Sequence, residues 1–294
     1  CPKAQFVRNS QVCEKCLSKR FAWPAIYHAC YKENRLATTV VAAMTAFHRA
    51  RNTWTQLVDR FIAPTQFVKD KHVDGGFDAG QIDVKPNFVF PDPGSGSGDG
   101  NYVAFAGRLS AEKGVDTLLE TWQHLSANVR LKIAGDGPLA DRVKAAADAD
   151  NRIEWLGRIE KKEMFDLLGQ ATCLIMPSVC YETFGLTIVE AFSKGTPVVV
   201  SRMGAMQELV QDGRTGFLLD PGNAQQFARK VEQVFSMDTT ELRDAARQDF
   251  ELKYTAESNQ KWLTEIYAKT LSQSVRTPLV PPGALECSMQ RQTN

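Results

Sequence analysis

The apolar positions of the chain follow two regimes. From residue 101 onward, short apolar runs alternate with stretches in which apolar residues recur every three or four positions. "NYVAFAG" predicts a strand, and residues 112–126 predict a helix with Val115, Leu118, Leu119, Trp122 and Leu125 on one face. "VRLKIAG" predicts a second strand, followed by a helix from Pro138 in its first turn to about Ala149. "RIEWLG", "TCLIMPS", "TPVVVS" and "GFLLD" predict four more strands; helices are expected at 160–169, from Gly185–Leu186, at 223–235 and at 240–248. Strands and helices alternating at this spacing make βαβ units, and hence an α/β fold with a doubly wound parallel sheet covered on both faces.

Upstream the pattern is mostly helical: a long region at 24–50, a short helix at 53–59 and another at 66–74, with strands only at "RFIAP" and "QIDVKP". Two short strands are too few to form a sheet layer under that many helices, so the first lobe is expected to be incomplete. "PNFVFPDPGSGSGDG" has no apolar period and reads as a linker. "FELKYTAESNQKWLTEIYAKTL" predicts an amphipathic terminal helix, and the Pro-rich stretch from Ser272 onward is expected to be disordered. The expected organisation is a partial first lobe (1–85), a linker (86–100), a sheet domain (101–250), a helix returning to the first lobe (251–271) and a tail (272–294).

Composition changes this picture in three places. An apolar fraction of 43% supports a sizeable core, and no run approaches the ~20 apolar residues of a membrane-spanning helix. Net charge is +1, yet residues 1–72 hold 12 Lys/Arg against 4 Asp/Glu and so carry +8, leaving −7 for the rest. Such a basic segment suits an anionic lipid surface, nucleic acid or an acidic lobe of the same protein; no nucleic-acid motif accompanies it. Seven cysteines are present, with Cys1, Cys13, Cys16 and Cys30 in the first thirty residues. These four could hold zinc, or be small half-buried residues in a reducing cytoplasm; Cys173 and Cys180 read as core. The chain opens on Cys1 rather than Met, so a fragment or processed product is expected.

The chemistry is concentrated in the turns after the strands: Gly107-Arg108, Gly135-Asp136-Gly137, Gly157-Arg158 and Glu182 to Gly185. All fall on one edge of the predicted sheet, where ligands bind in such folds. Arg108 and Lys113 in "GRLSAEKG" suit a diphosphate, one as a planar fork and one as a point charge, although solvated surface cations would read the same. Gly185 and Leu186 open a helix whose free N–H groups favour an anion. Glu190 inside that helix could accept hydrogen bonds from vicinal hydroxyls, and Glu182 before it from those of a sugar; alternatively, Glu190 serves the helix dipole and Glu182 is an exposed loop charge. Asp136 reads as a turn residue.

"FAGRLSAEKGVDTLLE", "LKIAGDGP", "IEWLG" and "ETFGLTIVE" together resemble the donor-binding half of the family 4 glycosyltransferases, which have the GT-B fold; the resemblance spans about 85–270. It implies that Gly107, Arg108 and Lys113 meet the donor diphosphate, with the two cations steadying the leaving group. It also implies that Glu182 holds the transferred sugar, Glu190 the ribose, and Phe184, Gly185 and Leu186 offer backbone amides. Arg158 would approach the base through its backbone. Transfer in that family retains anomeric configuration and needs no metal or other cofactor. The donor would be a UDP- or GDP-linked sugar, and the acceptor a glycan or lipid-linked hydroxyl in polysaccharide synthesis, met in the cytoplasm with peripheral contact at the inner membrane leaflet.

"CPKAQFVRNSQVCEKCLSKR" resembles a Cys-containing loop midway through the first lobe of some members. The βα units that normally precede it, with their Gly-rich loop and His, are not in this sequence. His28, His48 and His72 therefore do not inherit that His role, and impaired activity is expected. The alternatives are a GT-B nucleotide-sugar epimerase and a non-catalytic nucleotide-sugar binder; a dehydrogenase would want a Gly-x-Gly-x-x-Gly that "AGRLSAEKG" lacks.

Overall fold

Tyr102 to Ala106 are five consecutive buried residues, as expected of a strand with both faces covered. In the computed structural model, which describes residues 1–2, 6–9, 11–126 and 128–273, this strand (β5, Tyr102–Ala106) is central in a six-stranded parallel sheet. To reach it the chain first builds two small strand pairs and four helices. Strands β1 (Val7–Arg8) and β2 (Gln11–Val12) form an antiparallel pair. Helices α1 (Trp23–Tyr27), α2 (Arg35–Ala50) and α3 (Thr53–Leu57) follow. Strand β3 (Phe61–Ala63), helix α4 (Gln66–Asp74) and strand β4 (Ile82–Val84) complete the region, with β3 and β4 parallel.

After β5 come α5 (Val115–Gln123), β6 (Arg130–Ala134), α6 (Ala140–Ala149), β7 (Ile153–Gly157) and α7 (Lys161–Gln170). The second half runs through β8 (Cys173–Met176), α8 (Leu186–Ser193), β9 (Val198–Ser201), α9 (Met206–Leu209), β10 (Gly216–Leu219) and α10 (Ala224–Ser236). Helices α11 (Thr240–Lys253) and α12 (Ala256–Gln273) close it. Strand order is β10-β9-β8-β5-β6-β7, the doubly wound arrangement whose direction reverses between β5 and β8. Alternate residues of each strand feed two cores. Ala104, Leu174 and Val200 face Leu168, Phe192 and Phe250 of α7, α8 and α11; Phe105, Ile133 and Val199 face Leu118, Trp122 and Phe227 of α5 and α10.

Four expected helix boundaries need correction. The helical region at 24–50 is two helices, because Ala29, Lys32 and Glu33 take positive φ and the Asn34 side chain caps α2 by accepting from Ala37 N at 3.0 Å. The helix expected over 112–126 begins as a 3-10 turn at Ala111–Lys113, and Gly114, at φ 71°, starts α5 proper. Residues 250–253 end α11 rather than open the terminal helix; the break falls at Tyr254 and Thr255, whose hydroxyl accepts from Ser258 N at 3.3 Å. Ser272 and Gln273 belong to α12, and 274–294 lie outside the described residues.

The stretch 86–100 behaves as a strap rather than a loose linker. Gly96, Gly98 and Gly100 donate backbone hydrogen bonds to Lys194, Gly169 and Gln170 at 2.9–3.0 Å, and Asp92 takes a bidentate pair from Arg247 at 2.8 and 2.6 Å. A Cβ on Gly96 would stand 2.1 Å from Gly169 O, so its composition serves close approach rather than flexibility. Helix α12 then lies against the first region: Asn259 Nδ2 donates to Pro86 O at 3.0 Å and Lys269 pairs with Asp83 at 2.7 Å. Among the described residues no helix is long and apolar enough to cross a membrane.

Candidate active site

The turns after β5 and β8 flank the point where strand order reverses, and the backbone forces them together. A Cβ at Gly114 would stand 1.9 Å from Pro177 O, so a glycine is required where the two turns touch. Val179 N donates to Glu112 O at 3.0 Å and fixes the contact. As a result Lys113 Nζ donates to Glu182 Oε1 at 2.6 Å, and the wholly buried Ser178 hydroxyl donates to the same oxygen at 3.0 Å. Glu182 is 9% exposed, so it is a buried, oriented carboxylate rather than a loop charge. Its own carbonyl accepts from Ala205 N at 3.2 Å, which ties the loop to the approach of α9.

Gly107 closes β5, donating its N–H to Ala134 O at 3.0 Å. Arg108 beside it is exposed, and among the described residues no carboxylate pairs with it. A guanidinium left free next to an ion-paired ammonium is available to an anionic ligand. Gly185, at φ 82°, precedes α8, and Leu186 is 44% exposed. The Phe184 ring is buried against Tyr254, with centroids 6.2 Å apart, so only its backbone can face a ligand. Glu190 lies in α8 and is largely buried; burial pushes its carboxyl above the ordinary glutamate range while Lys161 pulls the other way. Arg158 is solvent-exposed, with its guanidinium 3.6 Å from Asp136, and Asp136 Oδ1 accepts from Gly137 N at 2.7 Å as a turn residue does.

The structure also reveals contacts for which the sequence carried little signal. Helix α4 of the first region docks on the loop before α8. Thr65 Oγ1 donates to Thr183 O at 3.1 Å. Glu208 of α9 accepts from Gln66 N and Phe67 N at 2.8 and 3.0 Å, capping α4. The Phe67 ring meets Tyr181 edge-on at 4.9 Å. Thr65 was findable as a helix cap in "APTQFV", but Glu208 sits in a four-residue helix that has no visible period. Beside this contact lies a cavity of about 460 Å³ lined by Leu17, Ala42, Trp54 and Phe67, with Tyr181 and Thr183 on one wall.

The histidines stay apart from the sheet edge. His48 Nδ1 bonds Thr53 Oγ1 at 3.2 Å, His72 Nδ1 donates to Val68 O at 2.8 Å, and His28 lines a small void near the N-terminus with Cys1, Cys13, Cys16 and Cys30. Among the described residues no three His, Cys, Asp or Glu stand together at a geometry that could hold a metal ion.

Residues 100–237 match the model of the family described as glycosyl transferases group 1. The chain is 31% identical over 143 residues to an uncharacterised glycosyltransferase of Methanocaldococcus jannaschii, covering 47% of this chain and 36% of that protein. It is 33% identical over 152 residues to the lipopolysaccharide core biosynthesis glycosyltransferase LpsE of Rhizobium meliloti, covering 51% and 44% respectively. The chain thus spans less than half the length of each of these relatives. Among solved structures it resembles Anabaena HepE in complex with UDP and glucose, with a TM-score of 0.66 at 24% identity over 78% of this chain and 67% of that one. It also resembles the lipopolysaccharide outer core galactosyltransferase WaaB, at 0.60 and 23% over 72% and 62%. Segment 100–237 is thus similar to the group 1 glycosyltransferases, and the parallel sheet it builds belongs to an α/β fold of the GT-B architecture seen in these solved structures.

Proposed function

We propose that the carboxyl edge of the sheet binds a nucleoside-diphosphate sugar and that the enzyme transfers its glycosyl group to a hydroxyl, with retention of configuration and without a metal. The observation that carries this reading is the contact of Lys113 with Glu182 across the β5–β8 reversal, with an unpaired Arg108 and the start of α8 beside it. A sugar diphosphate needs a carboxylate for hydroxyls on one side and cations for phosphate on the other; here the two are already in contact.

In this reading Arg108 and Lys113 grip the diphosphate and offset the charge that grows on it as the anomeric C–O bond breaks. Glu182 accepts from the sugar hydroxyls, Glu190 from the ribose, and the Gly185 and Leu186 amides from phosphate and sugar oxygens. Arg158 frames the base through its backbone. The acceptor oxygen bonds to the anomeric carbon on the face the diphosphate leaves, and a departing phosphate oxygen takes its proton. The donor is a UDP- or GDP-sugar, as suits the likeness to a protein solved with UDP and glucose. The acceptor is a glycan or lipid-linked hydroxyl, a reading supported by the apolar cavity beside Tyr181 and by the cationic Lys19, Arg20, Arg49 and Lys71 among its lining.

Calorimetric titration of UDP, GDP and ADP in the presence of EDTA tests the two-cation site. Saturable binding of at least one nucleotide is expected without metal. Binding that develops only on adding magnesium or manganese would overturn the reading.

A further inference from the structure

Among the described residues of the first thirty, few side chains are buried. Strands β1 and β2 are two residues each, α1 is five, and its buried side chains are Pro24 and Ala25. Several non-glycine residues here nonetheless hold positive φ: Phe6 at 51°, Asn9 at 50° and Ala29 at 49°. Backbone held in this region persists only where the surroundings over-determine it, and small segments without a core do so with a staple. Four free thiols lie in this segment. Cys1, Cys13, Cys16 and Cys30 line the same void of about 20 Å³, room for one small atom. Backbone bonds position three of them: Cys13 N donates to Phe6 O at 2.7 Å, Cys30 N donates to Ala25 O at 3.0 Å, and Lys19 N donates to Cys16 O at 3.3 Å in the turn after the Cys-x-x-Cys.

We propose that Cys1, Cys13, Cys16 and Cys30 form a structural zinc site that closes on the metal and pins the N-terminal segment. Two thiolates on a short turn, Cys13 and Cys16, plus the more distant pair Cys1 and Cys30 suit a soft, tetrahedral ion, with sulfurs about 2.3 Å from the metal. Among the described residues no three ligand-type side chains already stand at such a geometry, so zinc would draw the sulfurs inward into the void they line. His28 lines the same void and stays outside the ligand set.

Such a site would act at a distance through Glu14, which lies between Cys13 and Cys16. Glu14 pairs with Lys71 of α4 at 2.8 Å and lies close to Tyr181, next to Glu182 in sequence. Lys71 in turn lies over the Tyr181 ring, 5.7 Å from its centroid. Zinc would thus hold Glu14 against the loop that carries Glu182.

The test is metal analysis of the full chain, expressed with zinc and purified without chelator under reducing conditions. One zinc per chain is expected. Cobalt substitution should give the intense near-ultraviolet thiolate charge-transfer bands and visible bands of a tetrahedral site. The double variant Cys13→Ser/Cys16→Ser should lose both while keeping its circular dichroism, and His28→Ala should retain them. In the unmodified chain, which needs no variant to fold, the four thiols should resist alkylation until a strong chelator is added. Metal-free protein, Cys13–Cys16–Cys30 thiols that alkylate freely without chelator, disulfides among the four in the protein as isolated, or zinc retained by the double variant would each overturn the proposal. Loss of metal from His28→Ala with retention in Cys1→Ser would overturn the four-thiolate set.

Discussion

The sheet region and the region before it are built from the same kinds of residue and hold together in opposite ways. Between 101 and 250 four of the six strands are buried at every position, and side chains such as Trp122, Phe105, Phe192 and Phe227 are almost wholly buried. Before residue 85 the strands come in pairs, and Trp23, Leu36, Val40, Met44 and Phe47 stand more than half exposed on α1 and α2. What orders that region includes contacts made with the other one: Glu208 capping α4, Thr65 bonding Thr183, Phe67 and Lys71 packed on Tyr181. One region carries its own stability. The other borrows part of it, from Glu208 of α9 and from Tyr181 and Thr183, the two residues that flank Glu182.

The largest effect should separate the two regions directly. Trp122→Ala empties a fully buried site and leaves the Val129 carbonyl, which now accepts from Trp122 Nε1 at 3.1 Å, without that donor. A cost of about 3–5 kcal/mol is expected in urea unfolding. Phe47→Ala removes a ring of similar bulk that is 56% exposed, and should cost less than about 1 kcal/mol. Equal losses would mean that the α2 face is covered in solution, and the contrast would fail.

How much of this was legible in the sequence follows the same division. All six strands of the large sheet were readable: β5, β8, β9 and β10 are buried on both faces and apolar almost throughout, as in "LIM" and "VVV", and β6 and β7 keep a shorter apolar run bounded by turns. Their order was not, since period says nothing of which strand lies beside which; the meeting of Lys113 with Glu182 follows from β5 lying next to β8. The strap at 86–100 was misread because Gly and Ser signal flexibility and close backbone approach alike. Helix α9 and strands β1 and β2 are too short for any period to develop. Ser178, Glu208 and Glu14 act through partners 4, 142 and 57 positions away, and only the first could have been guessed from spacing.

A second effect sharpens the comparison at the point where the turns meet. Gly114→Ala places a methyl 1.9 Å from Pro177 O at a residue whose φ is 71°. Both the clash and the left-handed backbone disfavour it, and a loss of about 2–4 kcal/mol is expected. The strain must push the turn bearing Lys113 away from the one bearing Glu182, so UDP binding should fall together with stability. Unchanged calorimetric affinity in a folded Gly114→Ala protein would show that the two turns need not touch for the site to work.

The smallest effects distinguish the two glutamates. Glu182 already neutralises Lys113 in the free protein, so Glu182→Gln releases that ammonium to a diphosphate. UDP should bind at least as tightly, whereas a UDP-sugar should lose about 1–3 kcal/mol for its charged hydrogen bonds. Glu190→Gln should weaken both ligands by a similar amount, because the ribose is common to them. The pH dependence follows with a definite sign. Burial raises the Glu190 carboxyl above its value in the unfolded chain. Its contribution to stability is therefore fully present below the unfolded pKa and is lost as pH rises through the folded one. At neutral pH the free Glu190→Gln protein should accordingly unfold at a temperature no lower than the parent, while binding nucleotide less well. Binding runs the other way: only the ionised carboxylate accepts from both ribose hydroxyls, so affinity should fall as the solution is acidified through the raised pKa, earlier than an ordinary glutamate would allow. Glu190→Gln should abolish that acid limb. A variant that loses stability and affinity together, or keeps the same acid limb, would move Glu190 out of the ribose site and leave it a buried helix residue.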